Sequence, residues 1–395
     1  MAQTPRKRRW PTILALVLGL LALAIVWINH QLEPNRLART VLDSLGESQG
    51  LQIEFEGTPV YALRPEPRLL LTGVSARQPG AAAPLLTARR IEVSLPWDTI
   101  WGGDDKVVIT RIELGQPALD LAALADWRES RPEAPFELPT LTKGMQVSNG
   151  RISGDGWHLQ ALVLDLPELQ PDQPLAADVA GRFERDALSV EFDGDISMQR
   201  AGLASPFELQ AKGRLTQDEL DAPWSLALAG DFDFTDTDTT TPSPASGGGP
   251  GRGHLQIAKL SFESQSPLPS LEATGNATFG EPTTLALTGT MPKWPEDWPV
   301  LPEPEANADL PLDFSLAYTG AEDLSDPLSL ELTRGETRLD ARLVVADVQT
   351  WLANEDRTPL PPMLGRFTAP SLEIEGFTLE NVQADLVEPA PASEE

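Results

Sequence analysis

From residue 51 onward, apolar and polar side chains alternate with a period of two, and no other feature constrains the fold as strongly. In Ser225–Phe234, an extended chain puts Leu226, Leu228, Phe232 and Phe234 on one face and Asp231 and Asp233 on the other. The same alternation runs through Val190, Phe192, Ile196 and Met198, then Phe207, Leu209, Ala211 and Leu215. It returns in Phe314, Leu316 and Tyr318, and in Leu339, Ala341, Leu343 and Val345. Gly, Pro, Asp and Asn separate these segments. The spacing predicts a long antiparallel meander, apolar on one face. Proline agrees: 37 of 395 residues, nearly twice the usual ~5%, argues against long uninterrupted helices. Short helices are expected at 97–102, 121–130 and 347–353.

The first 28 residues follow a different rule. Arg6, Lys7, Arg8 and Arg9 precede an apolar run from Pro11 to Ile28, with Trp10 and Trp27 at its two ends. Eighteen residues at ~1.5 Å each give a helix of ~27 Å, close to the ~30 Å hydrocarbon core of a bilayer. Tryptophans at both ends fit the interfacial aromatic belts, and the basic cluster is expected to stay cytoplasmic. The Asn-His-Gln-Leu-Glu-Pro that follows Ile28 offers no small-residue cleavage site, so the segment reads as a retained transmembrane anchor. Residues 33–46 then read as a short amphipathic helix, with Leu37, Val41, Leu42 and Leu45 on one face and Gly46 at its end.

Beyond the anchor, 26 basic residues face 59 acidic ones, a net charge of −33. Such a body repels phosphate backbones, which excludes nucleic acid as a partner. With no cysteine, disulfide scaffolds, thiolate metal sites and cysteine nucleophiles are excluded as well. There are three histidines, His30, His158 and His254, and no zinc-protease, nucleophile-elbow, dinucleotide or P-loop pattern. Asp231, Asp233, Asp236 and Asp238 lack the glycine and terminal glutamate of a calcium loop and read as a strand's solvent face running into a linker. No enzyme, cofactor or metal site is expected. Residues 235–253 contain no apolar side chain larger than alanine or proline and read as a flexible linker, whereas 291–311 read as an ordered proline-rich connection held by Trp294 and Trp298. The tail 389–395 reads as disordered. A one-sided apolar sheet hides its face either by closing on a second sheet or by curling into a groove that takes apolar ligands.

Phe55-Glu56-Gly57-Thr58-Pro59-Val60-Tyr61-Ala62-Leu63-Arg64-Pro65, followed by Leu69-Leu70-Leu71-Thr72-Gly73-Val74, resembles the AsmA family of envelope proteins. Leu85–Leu95 resembles the next strand of that family, Ile109–Leu114 and Pro117–Leu121 its paired closing strands, and Leu372–Val382 its repeated strand–turn–strand. The likeness covers roughly residues 10–125 and weakens in the middle. It implies a single-pass inner-membrane protein of Gram-negative bacteria with a periplasmic body, a strongly twisted β-sheet curled into a groove, and a role in phospholipid movement or outer-membrane assembly. Expected partners are the inner membrane, phospholipid and other envelope proteins; the alternative is a closed β-domain acting as a scaffold without lipid.

The expected organisation is a cytoplasmic basic start (1–10), the transmembrane helix (11–28), an AsmA-like β unit (29–130) and a meander (131–234). The linker (235–253), a second meander (254–388) and the tail (389–395) complete it. About eighteen strands at ~4.8 Å would make a groove on the order of 85 Å long. Its expected lining is Leu226, Leu228, Phe232, Phe234, Phe314, Leu316 and Tyr318. The anchor has a direct test. N-terminal sequencing of the membrane fraction is expected to find residues 1–28 retained, and a mature start near Asn29 would contradict it.

Overall fold

A computed structural model of the chain describes residue 46 and residues 50–386, apart from 63, 98–108, 131–137, 219, 237–251, 266–267, 281, 296–309, 322, 353–361 and 375–376. The anchor and the amphipathic helix up to residue 45 lie outside the described residues. Among the described residues, no helix is long and apolar enough to cross a membrane.

The described chain is one sheet of eighteen strands. The first nine are β1 (Gln52–Ala62), β2 (Arg68–Arg77), β3 (Leu86–Ser94), β4 (Arg111–Asp120), β5 (Met145–Gly154), β6 (Trp157–Leu166), β7 (Leu175–Arg185), β8 (Leu188–Met198) and β9 (Ala204–Gln217). The rest are β10 (Leu220–Asp236), β11 (Arg252–Ser264), β12 (Leu271–Phe279), β13 (Thr283–Met291), β14 (Leu312–Gly320), β15 (Leu328–Arg334), β16 (Thr337–Leu343), β17 (Leu364–Ile374) and β18 (Phe377–Leu386). Each strand pairs with its neighbours in sequence, which leaves β1 and β18 as the two edges of an open sheet.

One pairing departs from the expected antiparallel meander. β4 and β5 are parallel, because the chain returns through helix α1 (Leu121–Glu129) before β5 begins. The Asp120 side chain caps α1 by accepting from the Ala123 backbone N–H at 3.0 Å. The two strands expected at 109–114 and 117–121 are therefore one strand, β4, interrupted by the left-handed Gln116 (φ 50°), and Leu121 already opens the helix. The helix expected at 347–353 is α2 (Val345–Leu352), so Val345 ends no strand. Of 97–102, only Trp97 is described, in helical conformation. The expected linker is shorter at both ends: β10 runs to Asp236 and β11 starts at Arg252, and these two residues pair. Residues 237–251 lie outside the described residues, as do Trp298 and the tail.

Left-handed residues lie in a row across five of the first six strands, Gly57 in β1, Gly73 in β2, Gln116 in β4, Asn149 in β5 and Ala161 in β6, with β3 crossing the row without one. On one side of this row the apolar face is carried by Leu69 and Leu71, Ile91 and Val93, Ile112 and Leu114, and Met145 and Val147. On the other side the parity switches, to Val74 and Ala76, Leu86 and Ala88, and Gly150 and Ile152. Registers on β2–β3 and β3–β4 continue unshifted across the row, so neighbouring strands reverse together and the apolar side chains stay on one face. The packed cluster of this region is Leu71 and Val74, flanked by Ile53, Phe55, Leu69 and Ile91.

The two long rims differ. The two-residue links at 155–156, 186–187, 218–219, 335–336 and 375–376, each with an acidic residue, fall on one rim together with the longer connections at 78–85, 265–270 and 292–311. This is the turn rim; the opposite, loop rim carries the connections at 63–67, 95–110, 199–203, 237–251 and 321–327.

Gly144 holds the parallel junction. At φ 70°, its carbonyl accepts from the Ile112 N–H at 3.1 Å, and a Cβ there would lie 1.6 Å from the Leu166 oxygen. Gly144→Ala is expected to lower unfolding free energy by about 3 kcal/mol or more, combining left-handed strain with a backbone clash. Gly80→Ala, also at positive φ (85°) but with no atom within 4 Å, is expected to cost about 1–2 kcal/mol in the same urea titration.

Candidate functional site

The registers join the apolar residues of all eighteen strands into one continuous face. Through the middle of the sheet, Leu226 on β10 faces Ala211 on β9 and Phe262 on β11, and Leu228 faces Leu209 and Leu260. Ile196 on β8 faces Ala177 on β7 and Leu209 on β9. Toward β18, Leu287 on β13 faces Leu316 on β14, which faces Leu330 on β15. Leu226, Leu228, Phe232, Phe314 and Leu316 are all on this face and all half-buried. Among the described residues, no second layer seals them.

Several large rings lie over glycines of the adjacent strand. A Cβ on Gly213 would meet the Trp224 ring at 3.0 Å, one on Gly181 the Phe192 ring at 3.0 Å, and one on Gly289 the Phe314 ring at 2.8 Å. The missing side chains let these rings lie down, which gives a flattened apolar lining. Trp224 stacks on Phe262, centroids 6.4 Å apart and planes 20° apart, and its buried indole N–H has no hydrogen-bond partner.

Two of the expected lining residues sit elsewhere. Tyr318 is 2% exposed, and its hydroxyl donates to the Ala321 carbonyl at 2.6 Å, so it is a packed residue closed to ligands. Phe234 is 43% exposed at the loop rim, where β9 has already ended beside it. The anchor and topology residues Arg6, Lys7, Arg8, Arg9, Trp10 and Trp27 lie outside the described residues. Lining residues that the isolated sequence segments did not reveal include Leu114, Val147 and Leu164, which lie beyond the left-handed row, and Leu287 and Phe262, whose place follows from their partners.

The opposite face is polar and acidic. Asp178 on β7 sits directly between Asp165 on β6 and Asp195 on β8, three like charges in register. Cross-strand ion pairs relieve other rows: Arg182–Glu191 at 2.5 Å, Arg214–Asp221 at 2.6 Å and Arg366–Asp385 at 2.9 Å. The hydrogen bond to Asp221 raises the Arg214 guanidinium above its ordinary pKa. In the β14–β15 loop, hydrogen bonds from the Ser325 hydroxyl and then its N–H hold Asp323 below the usual carboxylate range. Glu92, 8% exposed, is the most enclosed carboxylate of this face and is held by Arg90 at 2.6 Å and Arg68 at 3.3 Å.

Two shallow hollows open near polar side chains. One, about 280 Å³, is bordered by Arg90, Glu113, Gln146 and Asp165; the other, about 290 Å³, by Arg200, Asp231, Asp233 and His254. Asp231 and Asp233 are exposed strand residues, as the alternation predicts. Among the described residues, no three His, Asp or Glu side chains are placed to hold a metal ion. Compared with protein-family models, with curated proteins and with solved structures, the chain matches none.

Because the chain lacks cysteine, single cysteines report accessibility cleanly. Leu228→Cys and Phe314→Cys are expected to react with a maleimide in the native protein. Tyr318→Cys is expected to react roughly tenfold more slowly or worse, through local opening only. Equal rates at the three positions would contradict the assignment of an open face with a packed Tyr318.

Proposed function

We propose that the chain is an inner-membrane-anchored periplasmic protein of the AsmA type that holds phospholipid acyl chains along its apolar β-face. The observation that carries this reading is a single apolar face, continuous over eighteen strands, half-exposed, and bare of any covering sheet among the described residues. A contiguous apolar face left half-exposed in this way marks an interaction site, and apolar ligands are its natural cover. At ~0.8 kcal/mol per buried CH₂, a chain of about sixteen carbons gains on the order of 10 kcal/mol on the face, comparable to what it gives up on leaving a bilayer. Exchange between the two is then close to balanced, which suits a carrier. The acidic opposite face keeps the body soluble and disfavours lying on anionic head groups. The resemblance at residues 55–95 and the basic start before Pro11 support the cellular placement, with the sheet curled into a groove around its cargo.

No residue acts catalytically in this reading. The mechanism is lateral contact: acyl chains slide over flattened leucine and phenylalanine surfaces while the head group stays in water. A photo-crosslinker at Leu316 is expected to capture phospholipid, and one at Ser315, on the polar face, is expected to capture none. Leu316→Asp is expected to remain folded and lose lipid loading, because an open face tolerates a charge that a closed core rejects. Equal or absent labelling at both sites, with Leu316→Asp unfolded, would assign the face to a closed scaffold of envelope-protein assembly.

A further inference from the structure

The exposed apolar side chains are unevenly spread. Of the eleven large ones that stand exposed among the described residues, eight lie along or beside the loop rim: Val60, Tyr61, Trp97, Leu203, Phe234, Phe279, Leu324 and Leu364. Leu310 and Leu379 lie toward the turn rim, and Val163 lies within β6. The turn rim carries the acidic two-residue links together with the connections at 78–85, 265–270 and 292–311.

At the centre of the loop rim, four phenylalanines form a staircase across β9 to β12. Phe207 and Phe232, half-buried on the apolar face, have centroids 6.0 Å apart; Phe232 and Phe234 are 5.7 Å apart; Phe234 stacks on Phe279 at 6.3 Å with planes 23° apart. The two outer rings are 43% and 44% exposed. Phe234 reaches Phe279 across Gly253 of β11, where a Cβ would lie 2.2 Å from the Phe234 ring. The polar side chain beside this path, Ser205, is buried and spent on the backbone, accepting from the Arg200 N–H at 3.0 Å and donating to the Pro206 carbonyl at 2.8 Å. The staircase is thus an aromatic track from the solvent-exposed lip down to the lining. At the turn-rim end of the same strands, the corresponding pair, Trp224 and Phe262, is half-buried.

We infer that this staircase is a lateral portal through which acyl chains cross the loop rim onto the apolar face. The inference rests on the reading of that face as an acyl-chain carrier. An acyl chain fits better than a protein for two reasons. The rings continue onto the lining, where a docked protein would cover only the lip. The exposed parts of two rings, each aromatic burying ~150–250 Å² in full, fall far below the ~800 Å² per partner of a stable protein interface. A second copy would also bring a further net charge of −29.

The test follows the uptake of pyrene-labelled phosphatidylcholine from phosphatidylcholine vesicles by the purified full chain, together with loading at equilibrium. The Phe234→Ser, Phe279→Ser double variant is expected to slow uptake roughly tenfold or more with final loading unchanged. Gly253→Val, which displaces the Phe234 ring without removing it, is expected to slow uptake as well. Leu364→Ser, on the same rim but outside the staircase, is expected to leave the rate alone. Where Gly253→Val fails to fold, the double serine variant decides. Uptake at the wild-type rate with normal loading would overturn the portal and leave the carrier reading intact. A fall in uptake matched by Leu364→Ser would also overturn it. A wild-type chain that takes up no lipid and gives no adduct at Leu316 would overturn both. Conversion of a dimer to monomers by the double variant in sedimentation would reassign the rings to an interface between copies.

Discussion

The structure depends on keeping every large apolar side chain on the same face of a very long sheet. A pleated strand alternates faces at each residue, so one misplaced residue would turn the rest of a strand inside out. Over eighteen strands the error would spread through the registers. The first six strands meet this demand with a shared reversal, in which Gly57, Gly73, Gln116, Asn149 and Ala161 take left-handed conformations and β3, between β2 and β4, reverses without one. Left-handed backbone at non-glycine residues costs on the order of 1–3 kcal/mol each, so the row persists because the burial on both sides of it agrees. In β10–β11 and β11–β12 the same end is reached by register shifts, between Ala229 and Gly230 and between Ile257 and Leu260.

Stability in such a molecule is distributed. Pairing runs between sequence neighbours throughout, with β4 and β5 parallel through the helical crossover, and the packed cluster around Leu71 and Val74 is small. Cross-strand contacts such as Leu226–Phe262 and Leu287–Leu316 each contribute ~0.2–1 kcal/mol, and their number rather than any one of them holds the sheet. The β1 edge is blunted by Pro59 and two register irregularities, which oppose edge-to-edge association. A uniform lining follows from the same economy: rings laid over glycines smooth the surface instead of shaping a pocket.

The sequence carried the β architecture and the one-sided face wherever alternation was uninterrupted, as in Val190–Met198 and Leu226–Phe234. It lost the thread where the parity reverses, because Leu114 and Pro117, or Leu159 and Leu162, break a period of two while staying on one face. The parallel β4–β5 pair was invisible for a related reason: Leu121–Glu129 reads as a helix, but nothing in its residues states which side of β4 the chain rejoins. Tyr318 illustrates a different limit. Its parity matches Leu316, yet it is buried where Leu316 is open, and the difference lies in the β14–β15 loop whose Ala321 carbonyl takes its hydroxyl. Parity assigns a face; only the third dimension assigns depth.

The division between rims extends the division between faces. One rim carries five acid-bearing two-residue links beside the connections at 78–85, 265–270 and 292–311. On the other rim, longer connections separate the strand ends and the apolar surface continues outward through Phe232, Phe234 and Phe279. A sheet with identical rims could take cargo from either side but would hold it against neither. Under the proposed carrier reading, acidic links at one rim and aromatic continuity at the other give the face a direction.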